Sequence, residues 1–391
     1  SITWKIFFNI IMIVLILVYI SFIGLGLPDT LLGAAWPSMY NDFVVPLAFA
    51  GIVSVIVSLG TIFSSLTCSP FIKKFGTAKI TVFSVGLTII GVLGYSFSSE
   101  FFILCLFAVP LGIGAGGVDV ALNNYAALHF KAKHMNWLHA FWGIGATLSP
   151  IYLSVAYSFS ATWREAYQGI GITLILIFLL LLFSIPYWKN SNSSTNALEN
   201  KDQKKLPKTI FLGIFVFFVY SAVEMTAGLW CGSYLSKIIG LAPAYTAMTV
   251  SGLFFSVTFG RILNGFLSLR FSNRQLIRMG IGVLFLGIML LLLPNSSWFK
   301  IFGIFLLGLG CSPIYPSLIH ETPIRFGKEN SSKAIGLQMA ASYAGTISMP
   351  PLFGLMTNYF SLSLFPFFIG FFAILLLLGI ILLDSLTKKN H

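Results

Sequence analysis

The stretch IFFNIIMIVLILVYISFIGLGL, Ile6 to Leu27, runs without a single charged side chain, and its reading decides the fold. An apolar run of about 18 residues or more has the length of a membrane-crossing helix. Such runs recur along the whole sequence. This first one is too long for the apolar region of a cleaved secretion signal, and no small-residue cleavage pattern leads from it into a soluble region, so it is expected to be a retained span. The composition agrees: the 391 residues are 57% hydrophobic and 9% charged, with mean hydropathy +0.92, whereas a soluble chain carries about 25% charged residues.

Hydropathy, with Gly, Pro and charge as punctuation, places twelve spans near 6–36, 46–68, 80–98, 101–129, 137–158, 166–188, 209–236, 243–267, 277–294, 299–320, 334–356 and 361–383. The long hydrophilic stretch 189–208, with Asn190, Lys201, Lys204 and Lys205, reads as a cytoplasmic linker. It divides an N-terminal six-helix bundle, 1–188, from a C-terminal one, 209–391. The fold class expected is an all-α membrane protein of twelve transmembrane helices.

A net charge of +12 would suggest nucleic acid or acidic partners in a soluble protein. Here the Lys and Arg residues sit singly or in short groups between spans, so no nucleic-acid surface is expected. With Ser1 in the cytoplasm, the inside segments hold Lys73, Lys74, Lys79, Lys131, Lys133, the linker, Arg270, Arg274, Arg278, Arg325, Lys328, Lys333, Lys388 and Lys389. Outside segments keep Arg164, Lys237 and Lys300. The positive-inside rule then places both termini in the cytoplasm, with the chain multi-pass in the cell inner membrane. The halves also echo one another: Lys74-Phe75-Gly76 with Lys79 follows the second span, and Arg270-Phe271-Ser272 with Arg274 follows the eighth. That suggests a duplicated, pseudo-symmetric pair of bundles, a known transporter design.

Three acids lie inside spans: Asp29 in the first, Asp119 in the fourth and Glu224 in the seventh. A charge at mid-bilayer costs about 2.5–3.5 kcal/mol on insertion scales, so such residues face water, find a partner or take a proton. A carboxyl that is protonated on one side and releases its proton on the other is a coupling device. Arg261, late in the eighth span, is the one intramembrane cation available as a partner, so protonation is the expected means of neutralising these acids. Helical spacing groups Gly26, Asp29, Gly33 and Trp36 on one face, Gly112, Gly116, Asp119 and Asn123 on another, and Glu224, Gly228 and Cys231 on a third. The alternative use of the glycines is close helix packing, with the polar residues bonding neighbouring helices.

Softer candidates for solute contact are Asn123, Asn124, His139, Trp142, Trp230, Tyr315 and Gln338, with Tyr125, Tyr234 and Tyr343 behind them. Amphipathic aromatics also belong to the membrane interface. The cysteines Cys68, Cys105, Cys231 and Cys311 lack paired spacing, so neither a disulfide nor a metal site is expected. No phosphate-binding lysine motif, metalloprotease helix or nucleophile elbow is present; no cofactor, no catalytic residue and no enzyme activity are expected.

Over essentially its whole length the sequence resembles the major facilitator superfamily, and within it the fucose-permease-like group of proton symporters. The residues that carry the resemblance are Gly26-Leu-Pro-Asp29-Thr-Leu-Leu-Gly33, Gly112-x-Gly114-x-Gly116-Gly-Val-Asp119-Val-Ala-Leu-Asn123, Asn136-Trp-Leu-His139, Tyr220-Ser-Ala-Val-Glu224, Gly260-Arg261 and Pro313-Ile-Tyr-Pro316. The resemblance implies two pseudo-symmetric six-helix bundles working by alternating access. It also implies proton coupling at Asp29 and Asp119, to which the span position of Glu224 adds a third candidate. Two positions depart from the family pattern: Lys73 stands where an acid precedes the basic pair after the second span, and Thr77 stands where an arginine is common. The function expected is proton-coupled symport of a small polar solute, a sugar by resemblance, carried by a monomer in the lipid bilayer. Efflux of lipophilic compounds or lipids is the alternative within transport, and a non-transporting membrane sensor or scaffold the alternative outside it.

Overall fold

A computed structural model describes residues 2–130, 132–188, 206–294 and 296–387. Most of the linker expected at 189–208 therefore lies outside the described residues. Among those described, every regular element is a helix. This follows from the bilayer as solvent: with no water to satisfy peptide groups, a single segment closes its own hydrogen bonds only as a helix.

The first apolar run becomes α1 (Ile2–Asp29) and α2 (Leu31–Asp42), interrupted at Thr30. Pro28 lies in the last turn of α1; its ring removes a backbone donor and crowds the preceding turn. The first in-span acid thus falls at a helix break. After a short 3-10 turn at Leu47–Phe49 come α3 (Ala50–Phe75), α4 (Thr77–Phe97), α5 (Phe101–His129), α6 (Ala132–Ser158) and α7 (Trp163–Ser184). The second half holds α8 (Ile210–Lys237), α9 (Pro243–Leu267), α10 (Asn273–Leu292), α11 (Ser297–Cys311), α12 (Ile314–Phe326), α13 (Ser331–Tyr359) and α14 (Phe365–Thr387). With α1 and α2 as one span, and α11 and α12 as another, these give the twelve spans of the expected fold.

Ten of the spans are long and apolar enough to cross a membrane. The other two, α6 and α13, are 27 and 29 residues long but more polar. Each is the fifth span of its half, so even the departure from uniform hydropathy repeats.

Several basic residues read as loop residues are helical instead. The second span runs on through Pro70 to Phe75, so Lys73 and Lys74 form the last turn of α3, where a cation suits the helix dipole. The turn to α4 is Gly76 alone, at φ +87°, a backbone state that glycine adopts without steric cost. Lys300, assigned above to an outside loop, is a buried residue of α11; its ammonium donates to the carbonyls of Leu291 and Leu293 at the end of α10. Arg325, assigned to an inside loop, is a buried residue of α12. In each case the sequence window was polar enough to read as a connection, while the side chain satisfies helix ends or acids of its own bundle.

The described chain divides into two compact units, one of residues up to 45 and from 52 to 188, the other of 46–51 and everything from 206 onward. In the first unit α1 packs on α6 and α7, and α4 on α5 and α7. In the second, α8 packs on α13 and α14, and α10 on α11 and α14. First with fifth and sixth, third with fourth and sixth: the pairing is the same in both six-helix bundles, as duplication requires.

Lipid tails are as apolar as leucine, so helices associate through close packing and hydrogen bonds rather than through hydrophobic exclusion. Aromatic residues fill each interior. Tyr95 meets Tyr167 edge to face at 5.4 Å in the first unit, and Phe353 packs against Trp230, Phe365 and Phe368 in the second. Large apolar side chains such as Leu66, Phe83, Phe102 and Phe183 remain exposed, as suits a surface solvated by hydrocarbon.

Candidate functional site

In the first unit the site is built from α1, α5 and α6. Glycines bring α1 and α6 together. A Cβ on Gly26 would stand 2.1 Å from the carbonyl oxygen of Trp142, and one on Gly145 would stand 2.0 Å from that of Ile23. Only a bare backbone permits that crossing. Thr30 fastens it by donating to the Ala146 carbonyl at 2.7 Å. The same crossing sets the half-buried Trp142 beside Asp29, whose carboxylate accepts the indole N–H at 2.8 Å and keeps an exposed side.

Asp119 is half-buried on α5 and accepts from the Asn123 amide at 2.8 Å; the same amide also donates to the Asp119 carbonyl at 2.9 Å. Spacing had grouped Gly112 and Gly116 with Asp119 and Asn123, and the structure separates their uses. A Cβ on Gly112 would meet the Val57 carbonyl at 2.2 Å, and one on Gly116 that of Thr61 at 2.4 Å. Thr61 in turn donates to the Gly112 carbonyl at 3.1 Å. These glycines are the seat of α3. Of the softer candidates, His139 is exposed and meets Phe22 edge to face at 6.4 Å, and Asn124 is half-buried.

In the second unit Glu224 on α8 faces Arg261 on α9, with 3.5 Å between guanidinium nitrogen and carboxylate oxygen. Arg261 is thus the cation that the sequence offered as a partner for an in-span acid, and it stands beside Glu224. Tyr315 meets Phe217 edge to face at 5.4 Å and Tyr220 at a tilt at 5.8 Å, and Tyr220 donates to the Cys311 carbonyl at 3.2 Å. Trp230 is completely buried; its indole donates to the Pro350 carbonyl at 2.8 Å, and its ring occupies the space a Cβ on Gly354 would need. Gln338 is 2% exposed and accepts from Thr322 at 2.9 Å. Both side chains sit in helix packing, with the Trp230 indole and the Gln338 amide oxygen bonded inside the unit.

The sequence reading missed a second charged constellation. Arg325 and Asp384 are buried and bonded at 2.8 Å; Asp384 also accepts from Arg278 at 2.8 Å, and Glu321 lies 3.2 Å from Arg274 and 3.4 Å from Arg325. The one local signal was the spacing of Glu321 and Arg325, four residues apart, the separation that joins opposite charges on one helix face. Among the described residues no group of His, Cys, Asp and Glu is arranged to hold a metal.

The sequence profile described as Major Facilitator Superfamily matches residues 12–320 and again 212–391. Among curated proteins, the glucose/mannose transporter GlcP of Bacillus subtilis is 21% identical over 343 residues, covering 84% of each chain. The protein named Bypass of stop codon protein 6 of Saccharomyces cerevisiae is 21% identical over 384 residues, 89% of this chain and 77% of its own. Among solved structures, the nucleoside transporter NupG superposes with TM-score 0.77 at 11% identity, over 96% of this chain and all of that one. A bacterial homolog of the human lysosomal transporter Spinster does so with TM-score 0.70 at 13% identity, over 98% and 97%. At such identities the structural likeness speaks for the fold.

Proposed function

The chain belongs to the Major Facilitator Superfamily, and from that premise we propose that it is a secondary transporter moving a small polar solute, a sugar, together with protons. The observation that carries this reading is the way Asp29 and Asp119 are held. Each accepts from a neutral donor, the Trp142 indole or the Asn123 amide, and no ion pair reaches either among the described residues. A fixed cation holds an acid in its ionised form, whereas a neutral donor leaves both protonation states accessible. Two such acids, on α1 and α5 of one unit, suit the loading and release of a proton.

In this reading Asp29 and Asp119 carry the proton, and Trp142, Asn123, Asn124 and His139 orient or contact the cargo from the first unit. Glu224, beside Arg261, is the third coupling candidate, and Tyr315 is a candidate cargo contact of the second unit. Trp230 and Gln338 support the helices that present them. The bundles 1–188 and 209–391 are the operating halves, joined by the cytoplasmic linker 189–208, with both termini cytoplasmic in the inner membrane and the protein acting as a monomer by alternating access. The resemblance to the fucose-permease-like group and the name of the Bacillus subtilis relative both favour a hexose as cargo.

Uptake into proteoliposomes under an imposed proton gradient tests the proposal, with a thermal-shift screen of sugars and nucleosides to choose the cargo. Gradient-driven accumulation is expected for a sugar. Uptake indifferent to the gradient, or unchanged when Asp29 and Asp119 are both replaced by Asn, removes the coupling claim.

A further inference from the structure

A groove of about 420 Å³ runs along the outside of the first unit between α4 and α7, and no part of the transport reading uses it. Its α4 wall is formed by Lys79, Phe83, Gly86 and Ile90, spaced four, three and four residues apart, which is one face of a helix. Its α7 wall includes Phe178 and, where the helix ends, Ile185. Gly86 makes the floor: a Cβ there would meet nothing closer than the Phe178 ring at 3.5 Å. The walls are apolar, and Lys79 is the one charged residue among them, exposed and in the first turn of α4.

We infer that this groove is a binding site for one anionic glycerophospholipid, with an acyl chain lying along α4 and the phosphate at Lys79. Length supports the acyl half. The eleven steps from Lys79 to Ile90 rise about 16 Å at 1.5 Å per residue, which matches half of a hydrocarbon core about 30 Å thick. The groove thus reaches from the headgroup level to the bilayer middle, the depth of one leaflet. The position of the mouth supports the headgroup half. Tyr187, an exposed ring of the kind that favours the interface, follows the end of α7 on the same side as Lys79. Charge complementarity selects the lipid class. Lys73 and Lys74 are exposed at the end of α3, one tight turn away, and no acid lines the groove. A zwitterionic headgroup gains little from such a field, whereas an anionic one gains on the order of 1 kcal/mol, about fivefold in occupancy, per lysine at the surface.

The test uses the full chain in bilayers of equal phosphatidylglycerol and phosphatidylcholine, released into mild detergent, with retained lipid counted by native mass spectrometry. Wild type is expected to keep phosphatidylglycerol over phosphatidylcholine by about fivefold or more. Lys79→Gln should lower that preference about fivefold and Lys79→Arg should keep it. Gly86→Leu, which fills the floor, should retain neither lipid. Should that variant fail to fold, Ile90→Trp, at an exposed position, blocks the same path. Equal retention of the two lipids by wild type, unchanged preference in Lys79→Gln, or undiminished retention in the groove-filling variant overturns the proposal and leaves only an unselective lipid coat.

Discussion

The two halves share their helix pairing and differ in how they treat acids. Every ion pair among the described residues lies in the second unit: Glu224 with Arg261, and Glu321 and Asp384 with Arg274, Arg278 and Arg325. In the first unit Asp29 and Asp119 meet an indole and an amide, and Asp42 likewise accepts from the Trp163 indole at 2.7 Å. A duplicated scaffold has therefore diverged in its electrostatics. One copy sets its acids against arginines, most of them on neighbouring helices. The other sets its in-span acids against neutral donors.

The largest expected effect tests the first half of that contrast. Replacing Asp29 and Asp119 together by Asn should abolish accumulation driven by a proton gradient while leaving solute exchange down its own gradient measurable, with thermal stability equal to or above wild type. A loss of folding instead would show that these acids are structural, like those of the second unit.

Next in size is the opposite case. Arg325→Met takes from Asp384 and Glu321 the most deeply buried cation that pairs with both, and removing one partner of a buried pair costs about 3–5 kcal/mol. The variant should unfold at markedly lower temperature in detergent. Adding Asp384→Leu and Glu321→Leu should recover most of the loss, because the penalty belongs to the orphaned charges.

Trp142→Phe should reduce gradient-driven uptake by about tenfold, the equivalent of one hydrogen bond to a charged group. Exchange in the absence of a gradient should change less. Equal loss in both assays would make Trp142 a cargo contact rather than an orienter of Asp29.

The smallest effect is expected at Arg278, whose side chain is 54% exposed in its pair with Asp384. Arg278→Ala should lower stability by no more than about 1 kcal/mol, because water screens an exposed pair. A drop comparable to that of Arg325→Met would mean that the whole constellation acts as one unit.

The fold was legible because hydrocarbon imposes a simple rule on sequence. Apolar runs long enough to cross announce themselves one at a time, and the charge bias along the chain orders them. The candidate acids were legible for the same reason in reverse, since a carboxylate inside such a run is conspicuous. What joins them was not. Asp29 and Trp142 are 113 residues apart, and Arg325 and Asp384 are 59 apart; periodicity reports which residues share a helix face, and is silent about which faces meet. The glycines of α5 were readable as either site lining or packing, and only the carbonyls of Val57 and Thr61 beneath them decide for packing at Gly112 and Gly116. Lys300 and Arg325 were misplaced because a cation near a span end looks like a boundary until its acceptors are seen.

The separation between Arg325 and Asp384 also bears on how the protein is made. Lys300 finds its acceptors nine and seven residues back in the chain, so it can be satisfied as soon as its own hairpin leaves the ribosome. Arg325 must wait for α13 and nearly all of α14 to be synthesised before Asp384 arrives. During that interval a guanidinium sits beside the membrane with its final carboxylate still missing, and nascent chains arrested before residue 384 should be cleared by membrane proteases faster than full-length ones in a pulse-chase experiment. Asp384 thereby ties the pairing of Arg325 to the synthesis of α14.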